Sequence, residues 1–168
     1  VPFPVATNAQ LVHEIVSGTQ TAIAMGGSSL PTQLGSALGG GRLRLEGGIA
    51  RIVFRGGAEV RLEGPAELEV LAEDRCHLHA GVLTAHVPER ARGFSVATRF
   101  ALIIDHGTDF GLSVNPAGAG QVRVLSGEGE LQHLENGQTR RLRYNEAARI
   151  TRERFWQLHA NEGETAVY

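Results

Sequence analysis

The stretch RFALIIDHGTDFGLSV, residues 99–114, decides whether this chain is interpreted as an enzyme or as a β protein. Four of its side chains are capable of acid–base or metal chemistry: Asp105, His106, Thr108 and Asp109. Gly107 permits the positive φ of a tight turn, and Asp and Thr side chains commonly hydrogen-bond to the backbone of such turns. Phe110, Leu112 and Val114 then alternate, as the inward side of a strand does. The stretch therefore predicts two buried strands joined by a structural turn.

Short alternating runs, separated by glycine or proline, continue from this stretch toward the N-terminus. They are Ile49–Phe54, Ala58–Glu63, Ala66–Leu71, Cys76–Ala80, Val82–Val87 and Phe94–Thr98. Their outward positions mix Arg with Glu, which suits pairing of opposite charges between neighbouring strands. Turn residues about every 8–12 residues are typical of a sandwich, barrel or solenoid. The predicted fold is all-β: a compact β-sandwich or jelly roll, or a short β-solenoid, of about 12 short strands.

The length suits one domain, and the alternation divides it into three parts. We expect residues 1–29 to be an N-terminal strand region of the same domain and residues 30–150 to form the β domain itself. Gly64 and Pro65 join two related strand units there. Residues 151–168 are a C-terminal extension or tail, of which the apolar part, residues 155–158, could pack back onto the sheet.

The composition excludes several classes of function. The net charge of −2 at pH 7 gives no electrostatic case for binding nucleic acid or an anionic membrane surface. All 16 basic residues are arginines, which excludes mechanisms that need a lysine, such as a phosphate-binding P-loop or a Schiff base. The single cysteine, Cys76, permits no internal disulfide, and we expect it to face inward and be inert.

No membrane span or secretion signal is evident in the sequence. Its longest apolar runs are about five residues, against the ~20 that a membrane-spanning helix needs. The start, VPFPVATNAQ, has neither a basic flank nor an apolar core, and it lacks an initiating methionine. We therefore expect an excised domain whose targeting parts lie upstream.

Three histidines are the best candidates for a metal site. His77 and His79 lie two residues apart on a predicted strand, so they share one face. If a turn at Gly81 forms a hairpin, His86 on the next strand could approach them, and three imidazoles can hold a transition metal. The simpler interpretation is that the histidines face water while Cys76, Leu78 and Ala80 face the core. We predict no metal site and no cofactor, although a cupin-like metal enzyme would need these histidines to converge with a carboxylate.

No other group of residues assembles a catalytic site. The sequence lacks a nucleophile elbow, and Ser126 lies beside a predicted strand turn. Glu128 and Glu130 would share a face of a strand, where solvated surface acids are the simpler interpretation than a glycosidase pair. The glycines at 39–41 precede a strand and not a helix, so no phosphate cradle is implied. The sequence predicts no catalytic residues.

A set of motifs resembles the FecR-type periplasmic domain over about residues 30–150. The residues that carry the resemblance are Gly57, Gly64, Pro65, Gly81, Pro88, Gly93, Phe94, Gly107, Thr108, Asp109, Phe110 and Gly127. Three positions depart from the family pattern. Family members usually carry Leu or Val in place of His106, Glu in place of Asp109, and often Pro in place of Arg99.

The resemblance implies signalling and not catalysis. FecR-like proteins are single-pass inner-membrane regulators whose cytoplasmic end contacts an extracytoplasmic-function sigma factor and whose periplasmic β domain receives a signal. In iron-uptake systems the partner is the signalling domain of a TonB-dependent outer-membrane transporter. We therefore expect a periplasmic, non-enzymatic protein-binding domain that neither binds nucleic acid nor inserts into the membrane. Its sheet edges could recruit a partner strand.

A carbohydrate- or cell-envelope-binding β-sandwich module is the alternative. Sugar sites usually need aromatic rings, and this chain has six Phe, one Trp and two Tyr. Phe54, Phe94 and Phe110 fall at inward positions of the predicted strands. The alternative therefore predicts a concave face lined by Trp156 or Tyr144, with Arg and Asn nearby.

Overall fold

The computed structural model describes residues 41–158 together with residues 12–15, 22–25 and 31–32. These residues form fifteen strands of one continuous sheet and a single 3-10 turn, Glu89–Ala91. Twelve of the strands lie within residues 41–158, which confirms the predicted all-β class of about twelve strands. No helix in the described part of the chain is long and apolar enough to cross a membrane.

The strands are numbered in chain order. They are β1 Val12–Ile15, β2 Ala22–Met25, β3 Pro31–Thr32, β4 Gly41–Leu45, β5 Ile49–Phe54, β6 Glu59–Ala72, β7 Arg75–His86, β8 Ser95–Ala97, β9 Ala101–Asp105, β10 Asp109–Val114, β11 Gly120–Ser126, β12 Glu128–His133, β13 Thr139–Arg143, β14 Ala147–Ile150 and β15 Phe155–Leu158. All neighbouring strands among these residues pair antiparallel, except β7 and β8, which are parallel.

The long hairpin of β6 and β7 forms the spine of the fold and corrects the sequence analysis. Gly64–Pro65 and Gly81 were predicted to separate strands, but β6 continues through the first pair and β7 through Gly81. The Gly64–Pro65 peptide is cis, and Gly81 has a φ of 117°. Glu63 pairs with Val82 and Glu67 with Ala80, so three residues of β6 face Gly81 alone. The glycines and proline therefore bend the hairpin without ending its strands.

Close backbone packing explains why glycine is needed at this bend. A Cβ added to Gly81 would lie 2.4 Å from the Cβ of Ala66. The extra residues on β6 also change which side chains point inward along β7. Cys76 and Leu78 are buried before the bend, whereas Leu83 and Ala85 are buried after it. Each half of the hairpin thus directs its apolar side chains toward the same core.

The bend divides the curled sheet into two facing halves. The first half contains β4, the later part of β6, the earlier part of β7, β8, β9, β12 and β13. The second half contains β5, the earlier part of β6, the later part of β7, β10, β11, β14 and β15. Their inner faces share one apolar core, in which the rings of Phe54 and Phe94 lie 4.9 Å apart.

Polar contacts join the two halves at the end of the sheet away from the hairpin. His133 Nε2 lies 2.8 Å from the carbonyl oxygen of Thr151, and Asn136 donates a 2.8 Å hydrogen bond to the carbonyl of Glu153. Arg140 on β13 donates to the side chain of Gln157 on β15. Strands β13 and β15, which lie at opposite ends of the path from β13 to β15, are therefore held near each other.

The expected packing of the C-terminal apolar residues is present in β15. Phe155 and Leu158 are buried, while Trp156 lies opposite Arg149 with the guanidinium of Arg154 5.2 Å from its ring centre. Residues 159–168 of the predicted C-terminal extension, residues 151–168, and most of the predicted region 1–29 lie outside the described residues.

Candidate functional site

The stretch that raised the question of catalysis forms β9, a tight turn and β10. Asp105 Oδ1 accepts hydrogen bonds from the amides of Gly107, at 2.5 Å, and Thr108, at 2.9 Å. The hydroxyl of Thr108 donates to the other carboxylate oxygen. Asp105 is 0% exposed, and this burial raises the pKa of its carboxyl, against the effect of the three hydrogen bonds. The carboxylate thus closes a turn whose Gly107 has a φ of 88°.

His106 and Asp109 flank this turn and contact residues of other strands. His106 Nε2 has no hydrogen bond and lies 3.6 Å from Glu130 Oε2. Asp109 Oδ1 lies 2.5 Å from His86 Nδ1, and both of these side chains are partly exposed. The amide of Asp109 donates a 3.1 Å hydrogen bond to Ser126 Oγ, so the hydroxyl of Ser126 accepts from the backbone of β10.

The three candidate metal ligands do not come together. His77 and His79 stack with ring centres 4.1 Å apart, and His79 Nε2 lies 2.9 Å from Glu69 Oε1. His86 was predicted to follow a turn onto the next strand, but it lies on the same strand, β7, seven residues beyond His79. At ~3.3 Å per residue that is on the order of 20 Å away. Within residues 41–158, no group of three or more His, Cys, Asp or Glu side chains is placed to hold a metal ion.

Burial and neighbouring charges shift the pKa values of groups in and around the His77–His79 pair. Desolvation lowers the pKa of His77, and the neighbouring His79 and Arg42 act in the same direction. The hydrogen bond with His79 lowers the pKa of Glu69. Arg42 also reaches Glu69, with Nε 3.5 Å from Oε1. The pair therefore belongs to a polar network on the outer face of β4, β6 and β7.

The remaining candidates for chemistry are also in structural contacts. Cys76 is fully buried, and burial raises the pKa of its thiol, which keeps it protonated and unreactive. Glu128 forms a 2.6 Å ion pair with Arg141. Glu130 accepts a 2.7 Å hydrogen bond from Gln132, which lowers the pKa of Glu130. The two carboxylates are bound to different neighbours and do not act as an acid–base pair in this arrangement.

The residues that carry the family resemblance lie mainly at turns, bends and core positions. Gly57 lies in the turn between β5 and β6, and Pro88 precedes the 3-10 turn. Phe94 is buried in the shared core, and Gly127 packs against Thr108. Like Asp105, these residues shape the backbone.

A cleft of about 850 Å³ lies at the bend of the hairpin. Its apolar wall includes Pro65, Ala66 and Val82, and the charged side chains at its margin include Arg44 and Arg149. A volume of this size can hold a small molecule. However, no aromatic side chain of the described residues lines it, and neither Trp156 nor Tyr144 belongs to its wall. The cleft therefore lacks the stacking platform that the carbohydrate alternative predicted.

One edge of the sheet within residues 41–158 is β13, whose free backbone groups are partly occupied. In an antiparallel pair, every second residue directs its amide and carbonyl away from the neighbouring strand. On β13 these residues are Thr139, Arg141 and Arg143. Both backbone groups of Arg143 are already bonded to Glu146. The Glu146 carboxylate accepts from the Arg143 amide at 2.8 Å, and the Glu146 amide donates to the Arg143 carbonyl. This contact leaves Thr139 and Arg141 as the positions of β13 where a partner strand could pair.

A second surface lies where the chain passes from β13 to β14. It includes Tyr144 with Arg and Asn nearby, which the carbohydrate alternative named, together with Leu125, which the sequence did not single out. We call it the Tyr144 surface, formed by Arg123, Leu125, Arg143, Tyr144 and Asn145. Tyr144 is 70% exposed and Leu125 38% exposed. The amide of Asn145 donates to the carbonyl of Val124, which places Tyr144 beside Leu125 along the two backbone segments. The only sequence signal was an aromatic residue within the arginine-rich run RRLRYNEAAR.

Comparison with known proteins identifies a family and a shared fold. The FecR protein family matches residues 42–130, about half of the chain. Two crystal structures of a "putative anti-sigma factor" from Parabacteroides distasonis ATCC 8503 match with TM-scores of 0.59 and 0.60 at 18% and 19% sequence identity. Each match covers 70% of this chain and 58% of that one, so this chain spans little more than half of the matched protein. No curated protein matches the sequence significantly.

Proposed function

Because this chain belongs to the FecR family, we propose that it is the signal-receiving domain of a membrane-anchored regulator of an extracytoplasmic-function sigma factor. In this proposal the domain lies in the periplasm, binds another protein and catalyses no reaction. The fold that it shares with a "putative anti-sigma factor" supports a regulatory role.

One observation carries the non-enzymatic part of the proposal: the described side chains best suited to chemistry are engaged in structural contacts. Asp105 closes a buried turn, and Cys76 is fully buried. His79 is bonded to Glu69, and His86 to Asp109. A reactive centre needs a nucleophile or base held beside a place for substrate. The engagement of these groups in contacts with one another supports a binding function over a catalytic one.

The partner that we propose is a protein of the cell envelope, with the signalling domain of a TonB-dependent transporter as the first candidate. Docking of the partner changes the conformation of the β domain or its susceptibility to proteolysis. A membrane helix outside residues 41–158 passes this change to a sigma-factor-binding part. The net charge of −2 disfavours nucleic acid and an anionic membrane as partners.

A crosslinking pull-down tests this proposal. The purified chain is incubated with an envelope extract of its own organism, crosslinked and recovered, and bound proteins are identified by mass spectrometry. The control is the Gly81→Ala variant, whose added methyl group clashes with Ala66 and disturbs the fold. We expect an envelope protein to be enriched by the wild-type chain and lost with the control.

Two results would contradict the proposal. One is recovery of no protein partner, and the other is recovery of a glycan alone. The second would favour the carbohydrate- or envelope-binding module. Turnover of any component of the extract by the purified chain would contradict the non-enzymatic assignment.

A further inference from the structure

We propose that the Tyr144 surface is the docking site, and that it binds a segment of a partner protein that carries both carboxylates and apolar side chains. This inference rests on the proposed protein-binding function, which leaves open where the partner binds. It follows from three properties of the surface: fixed backbone geometry, exposed apolar groups and excess positive charge.

The backbone beneath Tyr144 is held in place. Asn145 has a φ of 67°, a left-handed conformation that Asn adopts more readily than most residues. Arg123 Nη1 donates to both the carbonyl oxygen and the side-chain Oδ1 of Asn145, each at 3.0 Å. Backbone hydrogen bonds to Val124 fix both Asn145 and Glu146. Tyr144 is therefore presented from a rigid turn, which lowers the entropy lost when a partner binds.

Two exposed apolar residues, Tyr144 and Leu125, lie on backbone segments that are hydrogen-bonded to each other at this turn. Tyr144 is 70% exposed and Leu125 38% exposed, and both belong to the small group of large apolar side chains left exposed among the described residues. A single exposed apolar residue is ordinary, whereas adjacent ones beside arginines have the composition of an interface centre. Tyrosine and arginine are also the residue types enriched among binding hot spots.

The charge of the Tyr144 surface favours an acidic partner. The surface contains two arginines, Arg123 and Arg143, and no acidic residue, although the whole chain has a net charge of −2. Arg123 is bonded to neutral oxygens of Asn145, so those hydrogen bonds leave its positive charge uncompensated. Arg143 is exposed and forms no ion pair among the described residues. Carboxylates of a partner would find both guanidinium groups beside the apolar pair.

A protein segment fits this surface better than nucleic acid does. Two glutamates border the Tyr144 surface: Glu128 is paired with Arg141 at 2.6 Å, and Glu146 accepts from the amide of Arg143. A phosphate backbone would meet these carboxylates at close spacing and be repelled. A peptide can place its own acidic and apolar side chains to avoid them.

Fluorescence anisotropy with defined probes tests the inference. The first probe is a labelled peptide rich in Glu and Asp with interspersed leucines, and the second has Lys in place of every acidic residue. A third probe is a single-stranded oligonucleotide. The substitutions Tyr144→Ser and Arg143→Gln act within the surface. Their matched controls are Leu71→Ser, an exposed residue near the β6–β7 turn, and Arg61→Gln on β6, three strands from β11.

We expect the acidic peptide to bind at least about tenfold more tightly than the basic one, and Tyr144→Ser to weaken this binding about tenfold. Arg143→Gln should weaken it several-fold, and the two control variants should bind like the wild-type chain. Equal binding of both peptides, stronger binding of the oligonucleotide, or an unchanged affinity in Tyr144→Ser would each overturn the inference.

The envelope pull-down separates this inference from the proposed function. If Tyr144→Ser still captures the partner that the wild-type chain captures, the docking site is wrong while protein binding stands. If the wild-type chain captures no protein, the proposed function fails. Loss of the captured partner in Tyr144→Ser, with retention in Leu71→Ser, supports both.

Discussion

Asp105 shows how a residue type that suggests catalysis can serve the fold. Its carboxylate accepts from two amides and one hydroxyl of its own turn, and it is completely buried. The sequence could predict this role because Gly107 and Thr108 stand at turn spacing from Asp105. It could not predict the position of His106 near Glu130, because that contact depends on the pairing of β9 with β12.

Substitution at Asp105 tests this structural role. Asp105→Ala leaves the amides of Gly107 and Thr108 without their acceptor in a buried turn, so it should lower the free energy of unfolding by about 2–4 kcal/mol. His106→Leu next to it removes a ring whose Nε2 has no hydrogen bond, so it should change stability by less than about 1 kcal/mol. Urea unfolding followed by circular dichroism measures both. Similar losses in the two variants would refute the assigned role of Asp105.

We expect His77 to make the stability of the fold depend on pH. Burial lowers its pKa below the ordinary value of 6.5, so the folded state holds fewer protons than the unfolded state near that pH. The contribution of His77 to the free energy of unfolding is complete above its pKa in the unfolded state. That contribution is lost as the pH falls toward its pKa in the folded state. His79, Arg42 and Glu69 face it, and only Glu69 opposes the shift.

Removal of the imidazole should flatten this dependence. Between about pH 7.5 and about pH 5.5, the wild-type chain should lose more stability than His77→Gln. Urea unfolding at the two pH values gives the two slopes. A variant that loses as much stability as the wild-type chain would show that His77 does not carry the effect.

At the scale of elements, the β6–β7 hairpin is where the strand boundaries predicted from the sequence were wrong. Period-two alternation correctly predicted strands on both sides of Gly64–Pro65 and of Gly81. Glycine and proline usually end strands, so the sequence suggested breaks at positions where the structure has bends. The distinction depends on Gly81 packing against Ala66, which is a contact between strands that no local pattern encodes.

Two alanine substitutions separate the effect of this contact from backbone strain. Gly81→Ala places a methyl group 2.4 Å from the Cβ of Ala66, and its φ is positive. Gly137→Ala also has a positive φ, but its added Cβ meets nothing within 4 Å. Strain alone should cost about 1–2 kcal/mol at Gly137, whereas overpacking should add about 1–3 kcal/mol at Gly81. Differential scanning calorimetry compares the variants, and equal losses would argue against a tightly packed bend.

At the scale of the whole molecule, the all-β class and the FecR family could both be predicted from the sequence. The alternation of apolar and polar side chains predicts the all-β class. The spacing of glycine, proline and Phe94 predicts the FecR family. The sequence singled out Tyr144 with Arg and Asn nearby, but it could not predict that Arg123 and Leu125 lie beside them, because β11 and the β13–β14 connection meet only in the folded chain. Interaction surfaces of this kind are set by tertiary structure, whereas turns and strands are largely set by local sequence.

The central claim is that this domain receives a signal for a sigma-factor regulator. The most direct test is to delete the codons for residues 41–158 in frame from the gene in its own organism and to sequence the cellular RNA. An immunoblot of the remaining protein serves as the control for its abundance. The account predicts a change in a defined set of transcripts that share one promoter sequence. Unchanged transcripts, with the remaining protein at its normal level under conditions in which the intact gene is expressed, would contradict it.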